Sequence, residues 1–216
     1  MTDKAHGLPP VSVPADVGAL LNAMDGVAYL TAPDGTILAV GERNWSDFAS
    51  ANGAPQLSTA AAVVGSNLFK QTAGVEVRQV QEHLHREVAS GRRVTVTYTY
   101  RCDSPGAERL MRMSVTPVMQ GGKAGAILYQ SVVLKEAPRP PMSLFASRGE
   151  GPEAGRDPEI VRLCSYCHDV AWPAEPGSDV EWIEPDEYYR RGGSPDVMIS
   201  HGICPDCFDR LELGRA

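Results

Sequence analysis

Four cysteines near the C-terminal end of this 216-residue chain have the spacing of a metal site. They form two Cys-x-x-Cys pairs, Cys164-Ser-Tyr-Cys167 and Cys204-Pro-Asp-Cys207, which are separated by 36 residues. Each pair can turn tightly enough to direct two sulfurs at one point, and two such pairs complete a tetrahedral Zn²⁺ shell. We therefore predict one structural Zn²⁺ ion held by Cys164, Cys167, Cys204 and Cys207.

A metal would also stabilise the segment that carries these cysteines. Only 53 residues run from Cys164 to Ala216, and so short a segment seldom buries enough apolar surface to fold unaided. A structural zinc ion contributes an apparent ~10–16 kcal/mol in small finger-like units. We expect this module to fold around its metal.

Other chemistries use similar cysteine patterns. Cys164-Ser-Tyr-Cys167-His168 also matches the C-x-x-C-H signature of c-type haem attachment. That chemistry usually occurs outside the cytoplasm, whereas Met1-Thr-Asp-Lys-Ala-His lacks the apolar core of an export signal, and the second pair would be unexplained. A thioredoxin-like redox pair belongs in a βαβ unit, which the flanking pattern does not show. Disulfides do not suit a chain that we expect to be cytoplasmic.

The residues beside each pair predict the local structure of the site. His168 and His201 could each replace a cysteine as ligand, but with four cysteines available we expect them to donate hydrogen bonds to sulfur or only to pack. Phe208, Leu211 and Leu213 can form one face of a helix that begins at the second pair. One pair in a loop or hairpin and the other opening a helix is typical of a treble-clef-like module.

Charge is distributed unevenly along the chain. The net charge is −7, and the segment from Cys164 onward holds 11 acidic residues against 4 basic ones. Zinc modules that bind nucleic acid usually present a basic face. The acidic segment, which also contains Trp172, Trp182, Tyr188 and Tyr189, therefore argues against nucleic acid and for a basic protein partner. No apolar run is long enough to span a bilayer.

The first part of the chain alternates short helical and strand patterns. Asp16 can cap a short helix that runs to Met24, and Asn44 can cap another. The longest helix is predicted from Val75 to Ser90, with Gly91 as its stop. Strands are predicted at 27–30, 37–40, 93–102, 110–117 and 124–134, with turns at 32–35 and 121–122.

A proline- and glycine-rich segment follows the last of these strands. Its composition predicts an extended linker over 135–159 that couples its neighbours weakly, apart from the apolar island Met142-Ser-Leu144-Phe145, which can pack on a neighbour. We therefore divide the chain into a first domain (16–134), a linker (135–159) and a Cys-rich zinc-binding module (160–216).

This order of elements resembles the PAS sensory fold. The resemblance is carried by Gly26-Val-Ala-Tyr-Leu-Thr-Ala-Pro-Asp-Gly-Thr-Ile at the first hairpin, by Val64-Gly65-Ser-Asn-Leu68-Phe69 before the long helix, and by the three strands after Gly91. The segment Ser200-His-Gly-Ile-Cys204-Pro-Asp-Cys207 in addition resembles the Cys-rich tail of some bacterial signalling proteins. The predicted fold class is α+β: a PAS-like antiparallel five-stranded sheet with flanking helices, plus a small treble-clef-like zinc module.

The resemblance implies a sensor or scaffold that binds a ligand between the sheet and the helices. The corresponding pocket residues in this chain are Val80, Leu84, Tyr98, Tyr100, Met111 and Met113, which could equally be ordinary core residues. The cysteine motif of flavin-binding light sensors is absent, and Cys102 lies at a strand end. Haem-binding relatives take a histidine from the long helix, but His83 and His85 flank its apolar stripe, where surface positions are expected.

No catalytic motif is present: we find no glycine-rich phosphate loop, no G-x-S-x-G elbow and no H-E-x-x-H helix. The sequence therefore predicts a cytoplasmic, non-enzymatic signal-sensing or adaptor protein. It is expected to form a homodimer and to act through a protein partner such as a histidine kinase, without binding nucleic acid or membrane. The alternative is a haem- or thiol-based redox or gas sensor.

Overall fold

The computed structural model describes residues 16–145, 159–173 and 180–212. Its first half contains a five-stranded sheet in the order β2-β1-β5-β4-β3, in which every neighbouring pair is antiparallel. The strands are β1 (Val27–Thr31), β2 (Ile37–Val40), β3 (Val96–Arg101), β4 (Ala107–Gln120) and β5 (Lys123–Pro138).

Four helices accompany this sheet, and three of them lie between β2 and β3 in the chain. They are α1 (Val17–Ala23), α2 (Glu42–Ala51), α3 (Ala60–Val63) and α4 (Val75–Ala89), with short 3₁₀ turns at Pro55–Leu57 and Phe69–Gln71. A five-stranded antiparallel sheet with flanking helices is the PAS-like fold that the sequence predicted.

The helix boundaries follow the predicted signals except at α2. The Asp16 carboxylate accepts the Gly18 N–H at 2.9 Å and so caps α1 as predicted. Asn44 does not cap a helix: α2 begins earlier, at Glu42, and the Asn44 side-chain amide donates to the carbonyls of Met24 and Gly26. This side chain therefore ties α2 to the start of β1.

The strand β5 is longer than its composition suggested. It runs to Pro138, so its last four residues belong to the segment predicted as linker. Prolines are tolerated at strand ends, where the missing N–H costs no ladder bond. Met142 and Leu144 of the apolar island are buried, as packing on a neighbour requires. The three domain boundaries otherwise stay a prediction.

The second half contains a smaller sheet with one parallel pair. Its strands are β6 (Glu159–Cys164), β7 (Val170–Trp172), β8 (Glu181–Ile183) and β9 (Val197–Gly202), in the order β8-β7-β6-β9. The strands β6 and β9 run parallel, whereas β7 is antiparallel to both β6 and β8. Two helices complete this half, α5 (Pro185–Arg190) and α6 (Pro205–Glu212).

The two halves pack tightly against each other. A single buried cluster contains Val80 and Val88 of α4 together with Tyr166, Cys207 and Leu211 of the second half. The sequence predicted weak coupling through the linker, and this shared cluster contradicts that expectation.

Specific contacts hold the junction in register. The Arg101 N–H at the end of β3 donates to the Tyr166 carbonyl at 2.7 Å, and the Tyr98 and Tyr166 rings meet edge to face at 5.6 Å. Before α4, Gly74 adopts a φ of +85°, and a Cβ atom there would lie 2.6 Å from the His201 carbonyl oxygen. Only glycine allows both this backbone conformation and this close approach.

One of the two histidines on α4 is buried, against expectation. His85 is 1% exposed; its Nε2 atom donates to the Pro33 carbonyl at 3.1 Å, and its Nδ1 atom accepts from the Tyr129 hydroxyl at 2.8 Å. His83 lies at the surface with its Nε2 atom 3.9 Å from a Glu212 carboxylate oxygen. Both ring nitrogens of His85 are thus occupied by protein groups, which leaves neither free to ligate a haem iron.

The buried imidazole predicts an acid-sensitive fold. Burial lowers the pKa of His85, although hydrogen bonds that the imidazole donates to backbone groups of Pro33 and Ala32 oppose the shift. Below pH ~6.5 this histidine binds a proton in the unfolded chain but stays neutral in the folded protein. The free energy of unfolding should therefore decrease as the pH is lowered, by up to about 1.4 kcal/mol per pH unit. Urea titrations between pH 7.5 and 5 measure this slope.

A matched pair of variants tests whether His85 causes this pH dependence. His85→Gln should reduce it, and His83→Gln should leave it unchanged because His83 lies at the surface. Burial also lowers the pKa of His201, so His85→Gln should remove part of the slope and not all of it. An unchanged slope in His85→Gln protein would contradict the assignment.

No helix among the described residues is both long enough and apolar enough to cross a membrane.

Candidate metal centre

The parallel pairing of β6 and β9 brings the two cysteine pairs together. Cys164 is the last residue of β6 and is registered against Gly202, the last residue of β9, so both strands end at the same edge of the sheet. Cys167 lies in the turn toward β7, and Cys204 immediately precedes α6. One pair in a hairpin and the other opening a helix is the arrangement that the sequence predicted.

The four sulfurs have the separations of a metal cluster. All four Sγ atoms lie within 4.8 Å of one another, and the Sγ atoms of Cys167 and Cys204 are 3.7 Å apart. A tetrahedral shell with Zn–S bonds of about 2.3 Å places its sulfurs about 3.8 Å apart. No pair forms a disulfide, because all five cysteines are free thiols. The four cysteines could therefore hold one metal ion.

Backbone N–H groups point at the sulfurs, as they do around thiolates. Cys204 N–H donates to the Cys164 sulfur and Cys207 N–H to the Cys204 sulfur, each at 3.4 Å. Asp169 N–H lies 3.5 Å from the Cys167 sulfur, and the Arg210 guanidinium donates to the Cys207 sulfur at 2.8 Å. These donors stabilise negative charge on sulfur and fit a thiolate shell.

Because the four cysteine thiols are largely buried, they can all ionise only if a cation compensates their negative charge. Cys164, Cys204 and Cys207 are buried, and Cys167 is half-buried. Hydrogen bonds from the thiols of Cys167 and Cys207 lower the pKa of Cys164, whereas donation to Cys164 raises the pKa of Cys167. A divalent metal would let all four sulfurs bind as thiolates.

The two neighbouring histidines occupy positions outside this shell. His201 Nδ1 lies 3.4 Å from the Ser165 hydroxyl oxygen. His168 Nδ1 lies 3.2 Å from an Asp103 carboxylate oxygen, and its ring packs at 5.1 Å from the ring of Phe145. His168 has a φ of +67°, a left-handed conformation that closes the turn of the first cysteine pair. These contacts agree with the predicted packing role.

A buried carboxylate links the metal centre to the first sheet. The Asp103 side chain is fully buried between β3 and β4, and two guanidinium groups and an imidazole converge on it: Arg101 (2.7 Å), Arg139 (3.1 Å) and His168 (3.2 Å). We call these four residues the Asp103 cluster. Because His168 directly follows Cys167, the cluster joins the first cysteine pair to the end of β3.

The electrostatics of the Asp103 cluster favour an ionised carboxylate. Burial opposes ionisation, but the adjacent His168 imidazole and hydrogen bonds from the Arg101 side chain and the Arg109 backbone hold the pKa of Asp103 well below its usual range. Sequence spacing alone does not reveal this cluster. Its only local signal was a charged residue at each side of Cys102, and Arg139 lay in the segment interpreted as linker.

The predicted pocket residues lie in the core between α4 and the sheet. Val80 and Leu84 are on the buried face of α4. The other four are directly opposed across β3 and β4, as the pairs Tyr98–Met113 and Tyr100–Met111. Tyr98, Tyr100 and Met113 pack against the cluster that contains Val80 and Leu84, while Met111 is fully buried. Their role as a ligand pocket stays a prediction.

Comparison with known proteins returned solved structures only. No family model and no curated protein matches the chain. It is similar to the PAS domain of BvgS from Bordetella pertussis (14% identity, 54% of this chain and 82% of that one, TM-score 0.41). It is also similar to the PAS domain of nitrogen regulation protein NR(II) from Vibrio parahaemolyticus (15% identity, 54% of this chain and 96% of that one, TM-score 0.34). A third similar structure is the PAS domain of an HTR-like protein from Haloarcula marismortui, with 14% identity, coverage of 55% of this chain and 88% of that one, and a TM-score of 0.37.

Proposed function

We propose that this chain is a non-enzymatic signal-sensing or adaptor protein, in which a PAS-like domain is joined rigidly to a zinc module that contacts a protein partner. The observation that carries the proposal is the shared core. The cysteine cluster packs with α4 and the sheet in one buried cluster, which gives the two parts a direct physical connection. The resemblance of the C-terminal segment to the tails of bacterial signalling proteins supports the same role.

The metal in this proposal is zinc, and its role is structural. Four sulfurs within 4.8 Å of one another suit a tetrahedral ion that prefers thiolates. Four protein ligands leave no open position for water or substrate, so the site supplies stability and shape instead of catalysis. Cysteines that bind metal as thiolates require a reducing compartment, which supports a cytoplasmic location.

The partner surface is an acidic groove between α4 and α6. This groove has a volume of 540 Å³; Val80 and Ile203 contribute apolar surface, and Phe208 remains 42% exposed. The carboxylates of Asp209 and Glu212 also line it. A basic segment that inserts an apolar side chain beside Phe208 would complement both features. The groove exists only where α6 docks on α4, so it couples partner binding to the metal module.

A kinase assay tests the proposed function. The metal-loaded protein should change the autophosphorylation rate of one histidine kinase of its own organism severalfold, and Phe208→Asp should abolish the change by placing a carboxylate in the apolar part of the groove. Met119→Asp, at an exposed position of the β4–β5 hairpin, is the matched control and should retain it. A protein that alters none of the kinases refutes this form of the proposal.

The proposed homodimer forms through α1. Leu21 of this helix is buried, whereas Val17 and Leu20 are 44% and 51% exposed and can pair with the same helix of a second copy. Leu20→Glu should therefore convert a dimer into a monomer, because a charge in the apolar contact costs more than the contact gains. Light scattering measures the molar mass. A wild-type protein that remains monomeric at high concentration would show that α1 does not mediate association.

A further inference from the structure

A second groove lies between α4, the β1–β2 turn and the 3₁₀ turn Phe69–Gln71. Its volume is 480 Å³, which falls within the range of small-molecule sites. Phe69 and His85 contribute buried rings, which meet edge to face at 5.1 Å. None of the predicted pocket residues and none of the four clustered cysteines lines this groove. It is therefore a separate candidate site.

Three cations without acidic partners line the groove: Lys70, Arg78 and Arg86. Among the residues that the structure describes, none of the three forms an ion pair within 4.0 Å. The Nε atom of Arg78 is buried and has no hydrogen-bond partner in the described part of the chain. Most of the other described arginines are paired with carboxylates.

The acidic residues of the groove leave this cationic character in place. The Asp34 carboxylate accepts the Thr36 N–H at 2.9 Å, which lowers its pKa, so it contributes one negative charge to the groove. Glu82 lies four residues from both Arg78 and Arg86 on α4 and offsets part of their charge. With Lys70, the groove remains net positive. Because the whole chain carries −7, general attraction would not draw anions to it, and a local site must do so.

From these contacts we infer that the groove binds a small organic polyanion through Lys70, Arg78 and Arg86. Arg78 and Arg86 are eight residues apart on α4, which separates their Cα atoms by about 12 Å along the helix axis. A ligand that engages both needs at least two anionic groups, and guanidinium groups bind carboxylate and phosphate alike in a bidentate manner. The inference goes beyond the proposed function, because binding here requires neither a partner nor the metal.

Titration calorimetry on the full-length protein tests the site, with citrate and pyrophosphate as probes at constant ionic strength. At least one probe should bind. Arg78→Gln should weaken that binding about tenfold, since a charge-assisted contact is lost. Glu82→Gln should strengthen it about threefold, because a like charge is removed from the anion. Lys123→Gln, at the exposed first residue of β5, should have no effect.

Comparison of the two probes identifies the ligand chemistry. Tighter binding of citrate indicates a carboxylate ligand, and tighter binding of pyrophosphate indicates a phosphorylated one. The Glu82→Gln result decides the matter even if Arg78→Gln destabilises the fold. Absence of binding by both probes, or unchanged or weaker binding in Glu82→Gln protein, overturns the inference. Either of these results leaves the kinase response of the proposed function intact, so the two proposals fail independently.

Discussion

Replacing Cys207 by serine is expected to release the metal and to lower the melting temperature of the entire protein in one transition. The lost ligand opens the shell, and structural zinc sites contribute an apparent ~10–16 kcal/mol in small modules. That contribution is as large as the whole stability of a typical domain. Because Cys207 and Leu211 pack in the same cluster as Val80 and Val88, the first sheet should lose its support together with the module.

Metal analysis and scanning calorimetry measure the two effects. Wild-type protein purified under reducing conditions should contain one zinc ion per chain, and Cys207→Ser should contain almost none. Cys102→Ser is the matched control, because Cys102 is half-buried at the end of β3 and lies outside the metal cluster; it should retain both zinc and the wild-type melting temperature. A separate transition of the first sheet, unshifted in Cys207→Ser, would show that the halves unfold independently.

Asp103→Asn is expected to be the most destabilising substitution away from the cysteines. It leaves Arg101, Arg139 and His168 facing a neutral amide in a buried position. Removing one partner of a buried ion pair costs about 3–5 kcal/mol. Chemical denaturation measures the loss. Glu108→Gln is the control: Glu108 contacts Arg101 at 3.1 Å but is 39% exposed, so its removal should cost less than about 1 kcal/mol.

The same substitution should change the response to acid. Because the folded pKa of Asp103 is depressed, its contribution is complete above the unfolded pKa of ~3.9 and declines as the pH falls below that value. Asp103→Asn protein should therefore lose less stability than the wild type between pH 4 and 2. Equal acid sensitivity of the two proteins, or a loss below 1 kcal/mol at pH 7, would mean that the Asp103 cluster contributes little.

Both predictions concern the junction of the two halves. A proline-rich linker alone would leave these halves loosely joined. The two halves are instead coupled by direct contacts between their side chains and backbones. Glu76 near the start of α4 pairs with Arg162 of β6, and the Arg93 guanidinium donates to the carbonyls of Leu211 and Glu212 at the end of α6. Cationic groups at a helix C-terminus satisfy its free carbonyls, so Arg93 also stabilises α6.

Local spacing was enough to predict most elements of the first half and which cysteines cluster. The apolar residues of α4 at intervals of three and four, from Val77 to Val88, are all buried. The two Cys-x-x-Cys pairs supply sulfurs that converge within 4.8 Å. Each of these signals lies within a few residues, because a helix face and a metal-binding turn are set by local backbone geometry. The antiparallel sheet followed from turn residues and alternation in the same way.

Only the tertiary structure decided which faces meet. His85 is adjacent to the apolar stripe of α4, where periodicity alone cannot distinguish core from surface; its burial depends on Pro33 and Tyr129, which lie 52 and 44 residues away. The Asp103 cluster likewise joins residues from β3, from the end of β5 and from a cysteine turn. Pattern and spacing determine what a segment can form, whereas the partners of a buried charge or imidazole depend on how distant segments pack.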